Sequence, residues 1–523
     1  MKKILQMSFL ALLFVIVLSA CNSAPEESTN SSNTSGNTNE SANSKSAEES
    51  AEDAVVRIAM SSELDSLDPH QSSGTDTGSM MNNVFDGLLD TNEAGELVPN
   101  IAKEYEVSED NLTYTFKLVE NAIFHNGEPV TAKDVVYSYS KLAGLDTGEP
   151  LSDKWAMVEK VEALGDYEVA ITLDKIDSGF LARTISPIIP EGYTDQATHP
   201  IGAGPFKFVE YKIGQELVLE RFDEYYMEDK VPEVKEARFV ILPDEETAIL
   251  AMQSGEIDII PAISEQGVMQ LGDKITTISG PQNMSVILGL NHQVEPLNDV
   301  KVRQAINMAI DKQQIIDTVF QGNATRIDSN FSPAMPVYYE DSVEGYYDLD
   351  IAGAKELLAE AGYPEGFDLT LTAPSHRAMY TDTAQMIAEQ LKQINVNVII
   401  EPIEWSTWLD RVYTQFDHES TLIGFTGKID PYDILIRFVD GYSRNFIHYN
   451  NPAYNQAIEN ATLEVDETKR ADYYKEAQRI LTEDAASVFL LDPDRVTAMR
   501  KGLSGLKLYP MQKFNLEDLT IDE

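Results

Sequence analysis

The chain has 523 residues, 43% of them hydrophobic and 24% charged, enough apolar content for a large folded body. With 87 acidic against 39 basic residues its formal charge is −48, which argues against nucleic acid and anionic lipid as partners and for solubility outside a cell. One cysteine leaves no pair for a disulfide within the chain, so packing must stabilise the fold.

Lys2 and Lys3 precede an almost wholly apolar run from Ile4 to Leu18. About fifteen helical residues span only ~22 Å, short of a roughly 30 Å hydrocarbon core, so the run reads as a cleaved secretory signal. It ends in Leu18-Ser19-Ala20-Cys21. Small residues before a cysteine resemble the lipobox of bacterial lipoproteins, which implies that residues 1–20 are removed and that Cys21 is acylated. An ordinary signal peptide with an incidental cysteine is the alternative. Residues 21–53 are mostly Ser, Asn, Thr, Glu and Ala without an aromatic residue, and read as the lipidated cysteine and a disordered tether. Its r.m.s. reach would be roughly 30 Å. The expected location is the extracellular face of the cytoplasmic membrane.

The remaining body of about 470 residues is large enough for two or three domains. Val55–Met60 reads as a first strand, and the alternation of Leu112 to Leu118 as a half-buried one. Thr131-Ala132-Lys133-Asp134 has the spacing of a capping box, and Val135, Tyr139 and Leu142 then share a helix face. Gly202-Ala203-Gly204-Pro205 marks a tight turn before a strand over Phe206 to Val209. Phe367 to Ala373, Val396 to Ile403 and Thr421 to Phe425 read as strands, separated by helices over Thr383 to Ile394 and Glu404 to Gln415. Short links in that order predict an α/β fold with a parallel sheet built by right-handed crossovers.

Ligands of such sheets bind beyond the carboxyl ends of the strands. That places His376 and Arg377, then Trp405, then Thr426 to Asp430, at a candidate site. Arg377 offers a fork of donors suited to a carboxylate, and Asp430 an acceptor suited to an ammonium group, so the two could hold one zwitterion. A solvated loop charge or an internal ion pair accounts equally for Arg377. Asp430-Pro431-Tyr432-Asp433 also has the pattern of a helix start, so capping accounts for Asp430 as well as binding does. Trp405 and Trp408, three apart, fit helix packing or a ligand platform.

Several long stretches resemble the peptide and nickel family of substrate-binding proteins of bacterial ABC importers (extracellular solute-binding proteins, family 5). They run from Ile101 to Leu118 and on through Phe124-His125-Asn126-Gly127 to Val135. Further matches are Pro200 to Phe206, Gln253 to Asp258, Val302 to Ile306 and Ala354 to Gly362. The resemblance implies a two-lobed periplasmic-binding-protein-like fold (type II, cluster C) that closes about a hinge over its ligand. Lobe I would take residues 54–282, with an extra subdomain at about 82–200. Lobe II would take residues 283–499, and residues 500–523 would return to lobe I. It also implies that Arg377 holds a peptide carboxylate, that Asp430 holds its ammonium group, and that Ser73-Gly74-Thr75 pairs with the peptide backbone. The chain departs from many members in having Phe425 for Trp, Lys428 where a second acid is common, and Gly202-Ala203-Gly204 for Gly-Thr-Gly. The missing acid leaves Asp430 as the ammonium partner.

The leading expectation is capture of a di- or oligopeptide by a monomer and delivery to a permease powered by ATPase subunits on other chains. The rival ligand is nickel or another metal in a small chelator, with His376, Arg444 and His448 as its anchors and no metal or other cofactor resident in the protein. A peptide-sensing receptor without transport is a further alternative. An enzyme is not expected: the chain has no His-Glu-x-x-His, no Gly-x-Ser-x-Gly and no P-loop.

Overall fold

The structure is a computed structural model that describes residues 54–72, 74–511 and 513–522, all within one compact unit, Glu49–Glu523. Cys21, the signal segment and the tether lie outside the described residues, as does Ser73. The fold is α/β and two-lobed.

The lobes share a strand. Ser487–Arg500 pairs antiparallel with Met284–Leu290 through its first half and with Ile275–Pro281 through its second. Those two partners follow one another in the chain with only Gln282 and Asn283 between them, so two adjacent backbone crossings connect the lobes. On the lobe I side lie Ile259–Ile260, Val55–Met60, Glu236–Ile241, Glu216–Arg221 and Phe206–Lys212. On the lobe II side, beyond Met284–Leu290, the order is Ser420–Thr426, Phe367–Pro374, Val396–Ile403. Those last three pair parallel, in the arrangement the strand–helix–strand order predicts.

Element ends differ from expectation where turn chemistry intervenes. The helix expected from Thr383 begins at Ala378, because nothing between Arg377 and Thr383 breaks it. The helix expected to reach Gln415 ends at Arg411, where the chain turns toward a left-handed Phe416. The capping box forms: the Thr131 amide donates to Asp134 Oδ2 at 2.8 Å.

Lobe II has one continuous core, in which Met284, Leu371, Ile387 and Leu422 pack with Trp408, Phe446 and Phe489. In lobe I, Val56, Ile58, Phe206 and Phe239 pack with Leu506, Phe514 and Leu519 from the chain end, which brings the C-terminal segment back to this lobe. A separate antiparallel sheet of Ala102–Val107, Thr113–Leu118, Glu168–Leu173 and Val158–Gly165 is covered by helix Ala132–Ala143. Phe222, Tyr225 and Tyr226 join its core from beyond residue 200. The Gly202-Ala203-Gly204-Pro205 turn seals this subdomain against Asn83–Phe85: a Cβ on Gly202 would lie 1.9 Å from the Val84 carbonyl oxygen.

Asp492 sits inside the shared strand at the crossing and is fully buried. Its carboxylate accepts from Ser332 Oγ at 2.5 Å and from the Gln282 amide at 3.1 Å. Burial pushes its pKa up to about 7. A carboxyl raised on folding is bound to its proton more tightly in the folded state. Its stabilising contribution is complete below the unfolded value of about 4 and is lost as pH rises through the folded value. Asp492→Asn should therefore gain melting temperature relative to the unsubstituted protein between about pH 5 and about pH 8. Thermal unfolding at the two pH values checks this, and a constant difference would refute a buried proton at the crossing.

Candidate ligand-binding cleft

The carboxyl ends of the parallel strands form one edge of lobe II. After Pro374, Ser375 is tied to the neighbouring strand end by its amide and Oγ, which donate to the Ile403 carbonyl at 2.8 and 3.1 Å. Arg377 then takes the N-cap position of helix Ala378–Leu391 with its side chain exposed. Among the described residues nothing hydrogen-bonds or ion-pairs with its guanidinium, so the internal-pair alternative falls away. His376 packs at a tilt against Trp405, 4.6 Å between ring centres, and burial together with Arg377 lowers its pKa.

Trp405 lies parallel to Trp408 at 5.2 Å, and Trp408 stacks in turn on Tyr413 at 5.5 Å. Their roles separate. Trp408 is 1% exposed and donates its indole N–H to Thr421 Oγ1 at 2.9 Å, which makes it packing. Trp405, 37% exposed, presents the outer ring of the stack. At the far end of this ladder the Arg437 guanidinium lies 4.7 Å above Phe425, and that of Arg444 5.8 Å from the Tyr413 ring centre.

Strand Ser420–Thr426 ends where the lobes meet. Gly427 donates its amide to the Asn283 carbonyl at 2.6 Å, and a Cβ there would lie 2.2 Å from Asn283 Oδ1, so the close approach requires glycine. Asp430 follows, with its two oxygens in different surroundings. Oδ1 accepts from Arg470 at 2.6 Å, Tyr474 Oη at 3.3 Å and the Tyr432 amide at 3.0 Å. Oδ2 faces Gly179 of the other lobe, where a Cβ would stand only 1.7 Å away. Capping is therefore performed by one oxygen, and the other is turned to the interlobe space. Burial works against the charge on Arg470, yet Asp430 and the flanking Tyr474 and Tyr338 leave its pKa above the ordinary value. Arg470 was not among the sequence candidates. It lies on helix Glu467–Glu483, 40 residues from its partner, and no local pattern points to it.

Three cavities open along this boundary. The first, of about 380 Å³, is lined by Gly74 and Thr75 from lobe I and by Thr426, Gly427 and Lys428 from lobe II. Gly74 is fixed by an amide hydrogen bond to Asp65 Oδ2 at 2.8 Å and precedes helix Thr75–Met81. A second, also about 380 Å³, has walls of Tyr105, Tyr114, Tyr338, Asp430 and Arg470. A third, about 290 Å³, reaches Asp430 from the side of Lys154, Gly179 and Arg183. Lys154 and Asp433 pair across the lobes, and Ser178 Oγ donates to the Ala461 carbonyl at 2.7 Å.

Arg377, Trp405, His376, Arg444 and His448 line none of these cavities. His448 packs against Phe416 at 4.9 Å, away from the ring contacts of His376. Among the described residues no three His, Cys, Asp or Glu side chains gather in a way that could hold a metal ion.

Residues 96–446 match the family described as Bacterial extracellular solute-binding proteins, family 5 Middle. The chain belongs to this family. The glutathione-binding protein GsiB of Pectobacterium atrosepticum is 28% identical over 493 residues, which cover 90% of this chain and 94% of that one. The ABC transporter substrate-binding protein CtaP of Listeria monocytogenes superposes with a TM-score of 0.80 at 27% identity, over 90% of this chain and all of its own. The ABC transporter-associated periplasmic binding protein DppA of Helicobacter pylori, in complex with the peptide STSA, gives 0.70 at 25%, over 90% of this chain and 98% of its own. These family 5 neighbours share the two-lobed plan around the cleft.

The division between the tryptophans is measurable. Trp408→Ala should cost about 3–5 kcal/mol of unfolding free energy, and Trp405→Ala under about 1.5 kcal/mol, in denaturant titrations.

Proposed function

We propose that this chain is an extracellular substrate-binding protein that takes up short peptides between its lobes and passes them to an ABC permease driven by ATPase subunits on other chains. The observation that carries this reading is the first cavity: Gly74 and Thr75 come from one lobe and Thr426 and Gly427 from the other, and a ligand there touches both. Differential affinity for the closed arrangement would then drive closure about the two backbone crossings at Gln282–Asn283 and Leu491–Arg495. Family membership and the peptide, dipeptide and glutathione binding stated for relatives support the same class. Binding without turnover is part of the proposal.

Arg377 and Asp430 are the proposed poles for a zwitterionic ligand. Arg377 is exposed and unpaired, so it is available without breaking an existing bond. Asp430 offers Oδ2, which its contacts with Arg470 and Tyr474 leave free. Trp405 supplies an apolar face beside Arg377 through its contact with His376. The lobe boundaries near residues 283 and 500, the anchor at Cys21, and the tether over residues 21–53 belong to the same proposal. They place the body outside the cytoplasmic membrane within reach of a permease.

Native mass spectrometry of the gently purified protein, followed by denaturation, tests the ligand class. Short peptides should be released intact, whereas a single metal-containing adduct would move the assignment to chelate uptake. Arg377→Ala and Asp430→Ala should each weaken peptide binding by about tenfold or more in calorimetric titrations. If both variants bind within about threefold of the unsubstituted protein, the zwitterion clamp is wrong.

A further inference from the structure

Away from the two proposed poles, the inner wall of the first cavity carries a polar network that peptide-backbone binding does not use. Its charged lining residues are Asp86, Asp90, Lys230, Lys428, Lys513 and Glu517. The charges are almost balanced in pairs. Lys513 is bound to Asp90, and Lys230 to Glu517 at 3.4 Å. Asp86 and Lys428, the latter on the opposite side, are the remainder. Asp86 is 8% exposed, and among the described residues no lysine or arginine comes within ion-pair distance of it. Tyr225 Oη donates to it at 3.2 Å.

A second observation points the same way. Asn82, on the same cavity, donates through Nδ2 to Asn515 Oδ1 at 2.6 Å, while its own buried Oδ1 has no donor. The cavity thus holds a carboxylate without a cation and an amide oxygen without a donor. A group that carries both positive charge and hydrogen-bond donors would serve the two together. The cavity volume of about 380 Å³ lies within the range of small-ligand sites. Its opposite side is formed by Thr426, Gly427 and Lys428, so a ligand lying in the cleft can project a side chain into it.

We propose that this cavity is a subsite for a cationic side chain of the ligand, a lysine or arginine, with Asp86 as its charge partner and Asn82 Oδ1 as a further acceptor. The proposal rests on peptide capture in the cleft and adds the ligand's chemical class. Burial, with Asp90 and Glu517 adding to it against hydrogen bonds from Asn100 and Tyr226, pushes the Asp86 pKa up to about 7. An arriving ammonium or guanidinium group favours the ionised form, so cation binding near neutral pH releases a proton.

The test is calorimetric titration of the full-length protein with Ala-Lys-Ala, Ala-Arg-Ala and Ala-norleucine-Ala, and with butylguanidinium as a cation lacking any peptide bond. The cationic peptides should bind about tenfold or more tightly than the norleucine peptide, and Asp86→Asn should abolish that preference. Independently of any variant, titrations at pH 7 in buffers of different ionisation enthalpy should show release of about half a proton with the cationic peptides and none with the neutral one. Equal affinities and no proton release would overturn the subsite while leaving peptide capture standing. If no peptide binds but butylguanidinium binds in an Asp86-dependent way, peptide capture fails and the cation site holds. Binding of none of the four probes overturns both.

Discussion

The structure depends on one strand that belongs to two sheets. Ser487–Arg500 gives its first half to lobe II and its second to lobe I, and the chain from Ile275 to Leu290 runs alongside it as the other crossing. Gln282, Asn283 and Asp492 lie together where these two extended segments pass between the lobes, and the Gln282 amide donates to Asp492 there. Asn283 takes a left-handed backbone at the bend, and Asp492 ties the same point to Ser332 of lobe II through a buried hydrogen bond. The same carboxyl accepts from the Gln282 amide, so one side chain on the shared strand is tied to the other crossing as well.

From this constraint follows the construction of the cleft. Because the lobes are joined along one edge only, what meets across the opening must be small or complementary. Gly179 against Asp430 is a position where a methyl group would block the approach, and Lys154 with Asp433 supplies a charge pair at the rim. The aromatic ladder from His376 through Trp405 and Trp408 to Tyr413 stiffens the lobe II side, because each ring is held by the next and Trp408 is pinned to Thr421. Rigid strand ends on one lobe and a polar cavity on the other suit a ligand whose backbone is held the same way whatever its side chains.

Much of this was legible in the amino-acid order. The parallel arrangement of Phe367–Pro374, Val396–Ile403 and Ser420–Thr426 follows from strand–helix alternation with short links, and it put Arg377, Trp405 and Asp430 at the strand ends. Gly74 and Thr75 came from likeness to a family and Thr426 and Gly427 from strand order, and the fold brings all four to one cavity. Other features were not legible, because they depend on pairings far apart in the chain. Nothing near Asp430 announces Arg470, and nothing near Asp86 announces the shortage of a cation beside it. Nothing in Ser487–Arg500 announces its double role, since sharing between sheets leaves no periodic trace. Trp405 and Trp408 share a helical face, so spacing alone could not say which one the core would take.

Charge gives the cleft its direction on the proposed reading. The chain carries −48, and many of its surface cations are already bound, as Lys117 is to Glu104 and Lys301 to Glu360. Against that background the unpaired guanidinium of Arg377 is a local reversal of sign at a strand end. A carboxylate approaching the body is repelled over most of the surface and attracted there, whereas an ammonium group is attracted broadly. Long-range attraction then favours ligands of positive or zero net charge, and the short-range contact at Arg377 fixes which end faces lobe II. A surface of opposite polarity, basic with an acidic cleft, would reverse the ligand's orientation with no change in fold. The acidic composition is thus more than a solubility device: it makes one free arginine informative.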